Sequence, residues 1–330
     1  MLLGHEEPWR EWRTAGLGTR MHHAWLLVGR RGLGKASFAA AAARELLGAP
    51  ENIEHHPDIH LLTHGPKDDK EERKRADGKP FELARSIRIA QIRAMQQRLS
   101  TRPTMGQRRV IIIDPADDLE RNAANALLKS LEEPPEGTVF LLVAHSPARL
   151  LPTIRSRCRV LRFPTIDEPA MQNLLAELAP HADAPTRAAA IQAAAGSPGA
   201  ALAFVELDLG KVGRLMNEIL VSGDPGFTLR GQLAGAIGAR PDRARLQAVL
   251  DLARSALAAQ LETRSNTRAV LAETIEGVPP ARIPAIVEAH SELVTLGAQA
   301  PTYNFDAGLL AMEIGTLLAQ AAPASEQANV

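Results

Sequence analysis

The chain has 330 residues, 45% hydrophobic and 23% charged, with 38 basic side chains set against 38 acidic ones. That length predicts two or three domains, and the balanced charge argues against a uniformly basic, autonomous nucleic-acid binder. Aromatics at 3% are too few for a stacking platform, and the single cysteine, Cys158, excludes an internal disulfide and any zinc site needing two thiolates.

No run of about 18 apolar residues marks a membrane span. The opening residues, MLLGHEEPWREW, lack the basic-then-apolar layout of a secretion signal, so a cytoplasmic location and no membrane partner are expected. Trp25 to Val28 is a short apolar run leading into a glycine-rich loop, and Ala36 to Leu47 predicts the helix that follows, closed by Gly48 and Pro50. Asp58 to Leu62 predicts a second strand. Gly65 to Pro80 mixes both signs of charge between Gly and Pro, which predicts a solvated loop.

Ile87, Ile89, Ile92, Met95 and Leu99 repeat at helical spacing within Ser86 to Leu99. Val110 to Ile113 is β-branched throughout, as in a strand buried on both faces of a parallel sheet. A helix over Asn122 to Leu131 stops at Pro134-Pro135, and Thr138 to Val143 and Cys158 to Phe163 predict two more strands. Strands alternating with helices predict a three-layer α/β domain over residues 1–165. Beyond Pro164 the chain is rich in Ala and Leu and shows no convincing strand. A turn at Gly196-Ser197-Pro198-Gly199 interrupts helical sequence, so residues 166–206 predict a small helical subdomain. Breaks at Gly223 to Gly226, Pro241, Pro279-Pro280 and Pro301 divide 207–330 into a helical bundle, and the tail from Ala322 is expected to fray.

Gly29-Arg30-Arg31-Gly32-Leu33-Gly34-Lys35 joins a predicted strand to a predicted helix, the context of a phosphate loop. There Gly29, Gly32 and Gly34 would let backbone N–H groups converge on phosphate oxygens while Lys35 neutralises charge. The alternative is a plain glycine-rich turn with an incidental lysine. The next position calls for a hydroxyl to hold magnesium, but Ala36 has none, and Ser37 is rotated about 100° round the helix. Asp114 ends the Val110 strand where an acid would orient a metal, or where an ordinary aspartate would cap a strand. The acid that should follow is replaced by Pro115, and Asp117 and Asp118 lie further along. Phosphate binding at this loop is conceivable, whereas magnesium-assisted hydrolysis is not expected.

Two further stretches, Asn125 to Pro135 (NALLKSLEEPP) and Leu150 to Cys158 (LLPTIRSRC), together with His56-Pro57-Asp58, closely resemble bacterial DNA polymerase III clamp-loader subunits of the AAA+ family. The resemblance covers about Met21 to Leu202, and the remainder matches only in helical texture. It implies an α/β AAA+ P-loop domain, a helical lid, and an all-α collar that joins subunits. It also implies that Arg157 is an arginine finger, offering a planar fork of donors to the γ-phosphate held by a neighbour. The alternative is a surface arginine in a basic cluster with Arg155 and Arg159.

Active members carry a threonine sensor where Ala144 stands, and a lid arginine where Gly199 stands. Those departures are similar to the non-hydrolysing delta-prime subunits of the family. The implied partners are gamma/tau ATPase subunits and a delta subunit in a hetero-pentameric ring, a sliding clamp, and primed DNA through the complex. No ATPase activity of its own and no required cofactor are expected. Many relatives carry a four-cysteine zinc module where this chain has only Gly48 to His55, so zinc is not expected; His55, His56, His60 and His64 read as surface residues. The rival readings are an active clamp-loader ATPase and a nucleotide-gated module unrelated to replication.

Overall fold

The computed structural model describes residues 5–16, 21–49, 55–262, 282–299 and 306–323. The expectations for residues 50–54, Pro279-Pro280, Pro301 and the end of the tail lie outside these. The chain divides into two compact units, Met1–Thr165 and Ile166–Val330.

The first unit runs α1 (Glu6–Gly16), β1 (Ala24–Val28), α2 (Lys35–Leu47), β2 (Ile59–Leu62), α3 (Asp69–Ala76), α4 (Ile89–Leu99), β3 (Arg109–Ile113), α5 (Arg121–Glu132), β4 (Thr138–Ala144), α6 (Pro152–Arg155) and β5 (Arg159–Arg162). The strands form one parallel sheet in the order β2-β3-β4-β1-β5. Alternation along the buried strands sorts side chains onto two cores. Leu26, Ile111, Ile113, Phe140 and Leu142 face α4, α5 and α6, while Trp25, Leu27, Ile112, Leu141 and Val143 face α1 and α2. The three-layer α/β class is therefore the one observed. Leu127 of α5 is fully buried, so truncating it to alanine costs about 2–5 kcal/mol.

Local chemistry explains the elements around the sheet. Trp9 packs on Phe38 at 4.4 Å and Trp12 edge-on to Trp25 at 5.4 Å, so the early tryptophans anchor α1. Asp58 of the His-Pro-Asp segment is buried, and its carboxylate accepts from Thr104 N at 2.6 Å and Met105 N at 2.8 Å. Against the opposing effect of burial, those bonds hold its pKa below the usual carboxylate range, and they pin the loop that leads into β3.

The charged stretch after Gly65 differs from expectation, because Asp69–Ala76 is helical. Asp68 caps it by accepting from Lys70 N and Glu71 N, both at 3.0 Å, with acids in the first turn and bases in the last. Buried Glu71 ties the helix back by accepting from Glu82 N at 2.7 Å and Lys74 Nζ at 2.7 Å. Capping and ion pairs thus fold a segment that has no apolar core to bury.

The second unit runs α7 (Glu168–Leu178), α8 (Ala184–Ala194), α9 (Pro198–Glu206), α10 (Gly210–Ser222), α11 (Thr228–Ile237), α12 (Arg243–Glu262), α13 (Ile283–Gln299) and α14 (Ala307–Gln320). Proline at the first turn and an aspartate or serine cap start α7, α8 and α9. The boundary expected at 206/207 falls between α9 and α10, whose apolar faces join one cluster extending from Ile166 to Ala321.

Candidate functional site

β1 and β4 lie side by side with Val28 opposite Ala144, and β3 flanks β4 on its far side. The C-terminal ends of these strands therefore gather the glycine loop, Asp114 and Ala144. Gly29 is required by contact, since an added Cβ would stand 2.6 Å from Phe163 O. Gly34 is required by conformation, at φ 76° in the left-handed region just before α2.

Lys35 opens α2 but does not reach into an open cradle. The residue is only 2% exposed, and Nζ donates to Gly29 O at 2.7 Å and Arg30 O at 2.6 Å. Burial pulls its pKa down to about 8, helped by Arg31 and opposed by Asp117 and Asp114. Asp114 is half-buried, and burial raises its pKa although Lys35 and Arg31 pull the other way.

Asp117, passed over as too far along the sequence, is the missed member of this group. A short 3-10 turn over Ala116–Asp118 swings its buried carboxylate toward the end of β4. There it accepts from His145 N at 3.1 Å and Ser146 N at 2.8 Å. His145 is the second missed residue: burial and the Lys35 charge press its pKa down to about 4, and its Nδ1 is buried without a hydrogen-bond partner. No spacing rule points to either residue; an acid within a turn after the acidic strand is the only trace in the sequence. Asp118 pairs with His64 at 3.1 Å and Arg149 at 3.2 Å. These partners keep its carboxyl acidic despite burial, and the His64 ring is taken up in a hydrogen bond to it.

The donor set does not fit a magnesium-held nucleotide. Ala36 brings no hydroxyl, Pro115 brings no carboxylate, and the lysine that would meet a phosphate is engaged by its own loop. Among the described residues no cluster of three His, Cys, Asp or Glu could hold a metal ion, and no helix is long and apolar enough to cross a membrane. Gly199 lies in α9 of the second unit, behind Ser197, which caps that helix by accepting from Ala200 N at 3.4 Å.

The arginine cluster resolves into three different environments. Arg159 is bound to Glu11 at 3.0 Å, with its guanidinium 4.9 Å from the Trp25 ring, which makes it part of the α1 packing. Arg155 ends α6 and is exposed. Arg157 is about one-third exposed; Nη1 donates to Thr153 O at 2.9 Å and Nη2 meets Glu132 Oε1 at 2.7 Å. Ile154, fully buried one turn earlier, fixes the corner that presents it. Cys158 packs beside it against the core, and burial pushes its thiol up to about 12, far from a nucleophile's range.

Residues 4–167 match the family model described as DNA polymerase III, delta subunit. The DNA polymerase III subunit delta' of Pseudomonas aeruginosa is 35% identical over 208 residues; the match spans 58% of this chain and only 58% of that relative's length. A DNA polymerase III gamma subunit-related protein from Thermotoga maritima has a similar crystal structure, at TM-score 0.43 and 19% identity over 95% of this chain and 98% of that one. The subunit delta' of Escherichia coli K12 is 31% identical over 278 residues, 81% of this chain and 80% of the relative. On that breadth of match, this chain belongs to the DNA polymerase III subunit delta' family.

Proposed function

We propose that this protein is the non-hydrolysing subunit of a DNA polymerase III clamp loader, supplying Arg157 in trans to the nucleotide held by a neighbouring ATPase subunit. The observation that carries the reading is the contrast between two cations. Lys35 is buried and satisfied by its own loop, whereas Arg157 stands on a corner anchored by buried Ile154 with about a third of its side chain exposed.

In this mechanism the neighbour, a gamma/tau-type subunit, binds and hydrolyses ATP. As negative charge develops on the transferred phosphoryl oxygens, the planar donor fork of Arg157 meets it at two points, which a point charge such as lysine does not match. The chain's own loop takes no part in hydrolysis and requires no nucleotide; Lys35 and Asp117 instead make a fixed element of the fold. The C-terminal helices join those of the gamma/tau and delta subunits in a five-membered ring that opens a sliding clamp and closes it on primed DNA.

Contact with DNA is supported by a local imbalance within a neutral chain. Between Glu82 and Asp114 there is no acidic residue, and Arg85, Arg88, Arg93, Arg98, Arg102 and Arg108 are all exposed. Such a run suits phosphate backbones and predicts salt-sensitive binding.

The test is a reconstituted complex in which only the site adjoining this subunit is competent to hydrolyse ATP. Arg157→Ala is expected to leave assembly intact and to lower clamp- and DNA-stimulated hydrolysis there by about 10³-fold. An unchanged rate refutes the assignment.

A further inference from the structure

We propose that Glu132 is a positioning residue for Arg157: its carboxylate holds the guanidinium in the place of a phosphate and releases it when a neighbour's phosphate arrives. This inference rests on the finger reading above.

The two ends of the guanidinium are held differently. Nη1 donates to the neutral Thr153 O at 2.9 Å and more weakly to Ser156 Oγ at 3.4 Å, contacts that orient the side chain without compensating its charge. Nη2 is bound to Glu132 Oε1 at 2.7 Å, and among the described residues that carboxylate is the charged group on Arg157. Glu132 is itself well placed, because it is the last residue of α5, and Leu127 and Leu131 of that helix are buried.

The pair is also exchangeable. Its side chains are 34% and 49% exposed, so water reaches both charges and the net attraction is small. A phosphate group carries more charge than a carboxylate and offers two oxygens to the guanidinium fork, so it displaces a lone carboxylate oxygen. The Arg159–Glu11 pair lacks this character, since a tryptophan ring also lies against Arg159. Glu132 therefore competes with nucleotide for the same donor, and its removal favours the phosphate-bound arrangement.

In the complete complex with one competent adjoining site, Glu132→Gln is expected to lower the apparent KM for ATP by roughly two- to fivefold with kcat unchanged. Glu133→Gln, one residue along, is expected to change neither. In an Arg157→Ala background, Glu132→Gln is expected to have no effect. A KM that stays put or rises in Glu132→Gln, while Arg157→Ala shows its full loss, overturns the counterion role alone. A KM that still falls without Arg157 overturns it too. An Arg157→Ala complex that hydrolyses normally overturns the finger reading, and the counterion role with it.

Discussion

The glycine loop and the arginine corner belong to one α/β unit, and both present a cation near the end of a strand, yet their electrostatics are opposite. Lys35 is enclosed, hydrogen-bonded to two carbonyls of its own loop, and faced by Asp117 and Asp114. Arg157 is about one-third exposed and, among the described residues, is charge-paired only with an exposed carboxylate. The first arrangement is self-sufficient, so its charges serve folding. The second is an exposed pair whose partner can be exchanged, which suits the role proposed for Arg157. A phosphate-loop lysine is thus no evidence of hydrolysis unless its ammonium group has somewhere else to go.

The largest expected effect tests the corner. Arg157→Ala should cost the adjoining site about 10³-fold in rate, with Arg155→Ala close to wild type in the same assay. If the two variants behave alike, the corner acts only as a general positive patch and the contrast between the two regions fails.

The next tests the loop as a folding element. Asp117→Ala strips the acceptor from His145 N and Ser146 N and takes the leading counter-charge from Lys35. A loss of about 2–3 kcal/mol in urea unfolding is expected. A loss below about 0.5 kcal/mol would mean that the buried carboxylate carries no structural weight.

Lys35 also makes a pH signature. Its pKa in the folded protein is about 8 against an ordinary 10.5, so between those values the unfolded chain binds more protons than the folded one. Stability should therefore rise with pH across that window. The gain from pH 7.5 to pH 9.5 is about 2 kcal/mol relative to Lys35→Met, which lacks the titrating group. A parallel pH dependence in the two proteins would place the lysine in water.

The smallest expected effect is none at all. Ala36→Thr restores the missing hydroxyl, but Pro115 still offers no carboxylate and Lys35 remains engaged by its loop. Phosphate release by the isolated variant should stay at background; turnover in it, abolished by Lys35→Ala, would show the loop to be one substitution from working.

How much was legible in the sequence depended on whether the signal was local. The strands at Val110 and Thr138 and the helix before Pro134 follow from periodicity and punctuation over a few residues, and their ends lie within two residues of expectation. The helix at Asp69 has no local apolar signature, because its support is a buried glutamate that bonds Glu82 N, eleven residues away. The arginine of Ser-Arg-Cys was visible as a candidate, but three arginines within five residues look alike until Trp25 and Glu11 claim Arg159 and Glu132 claims Arg157.

By itself the sequence determined the α/β alternation, the family, and the catalytic groups that are missing: Ala36 has no hydroxyl and Pro115 no carboxylate in any conformation. Only the tertiary structure decided which remaining charges are enclosed and which are accessible. Covalent chemistry is written residue by residue, whereas burial and counter-charge come from segments distant in the chain. Asp117 reaches His145 across 28 residues, and Glu132 meets Arg157 by way of β4 and α6.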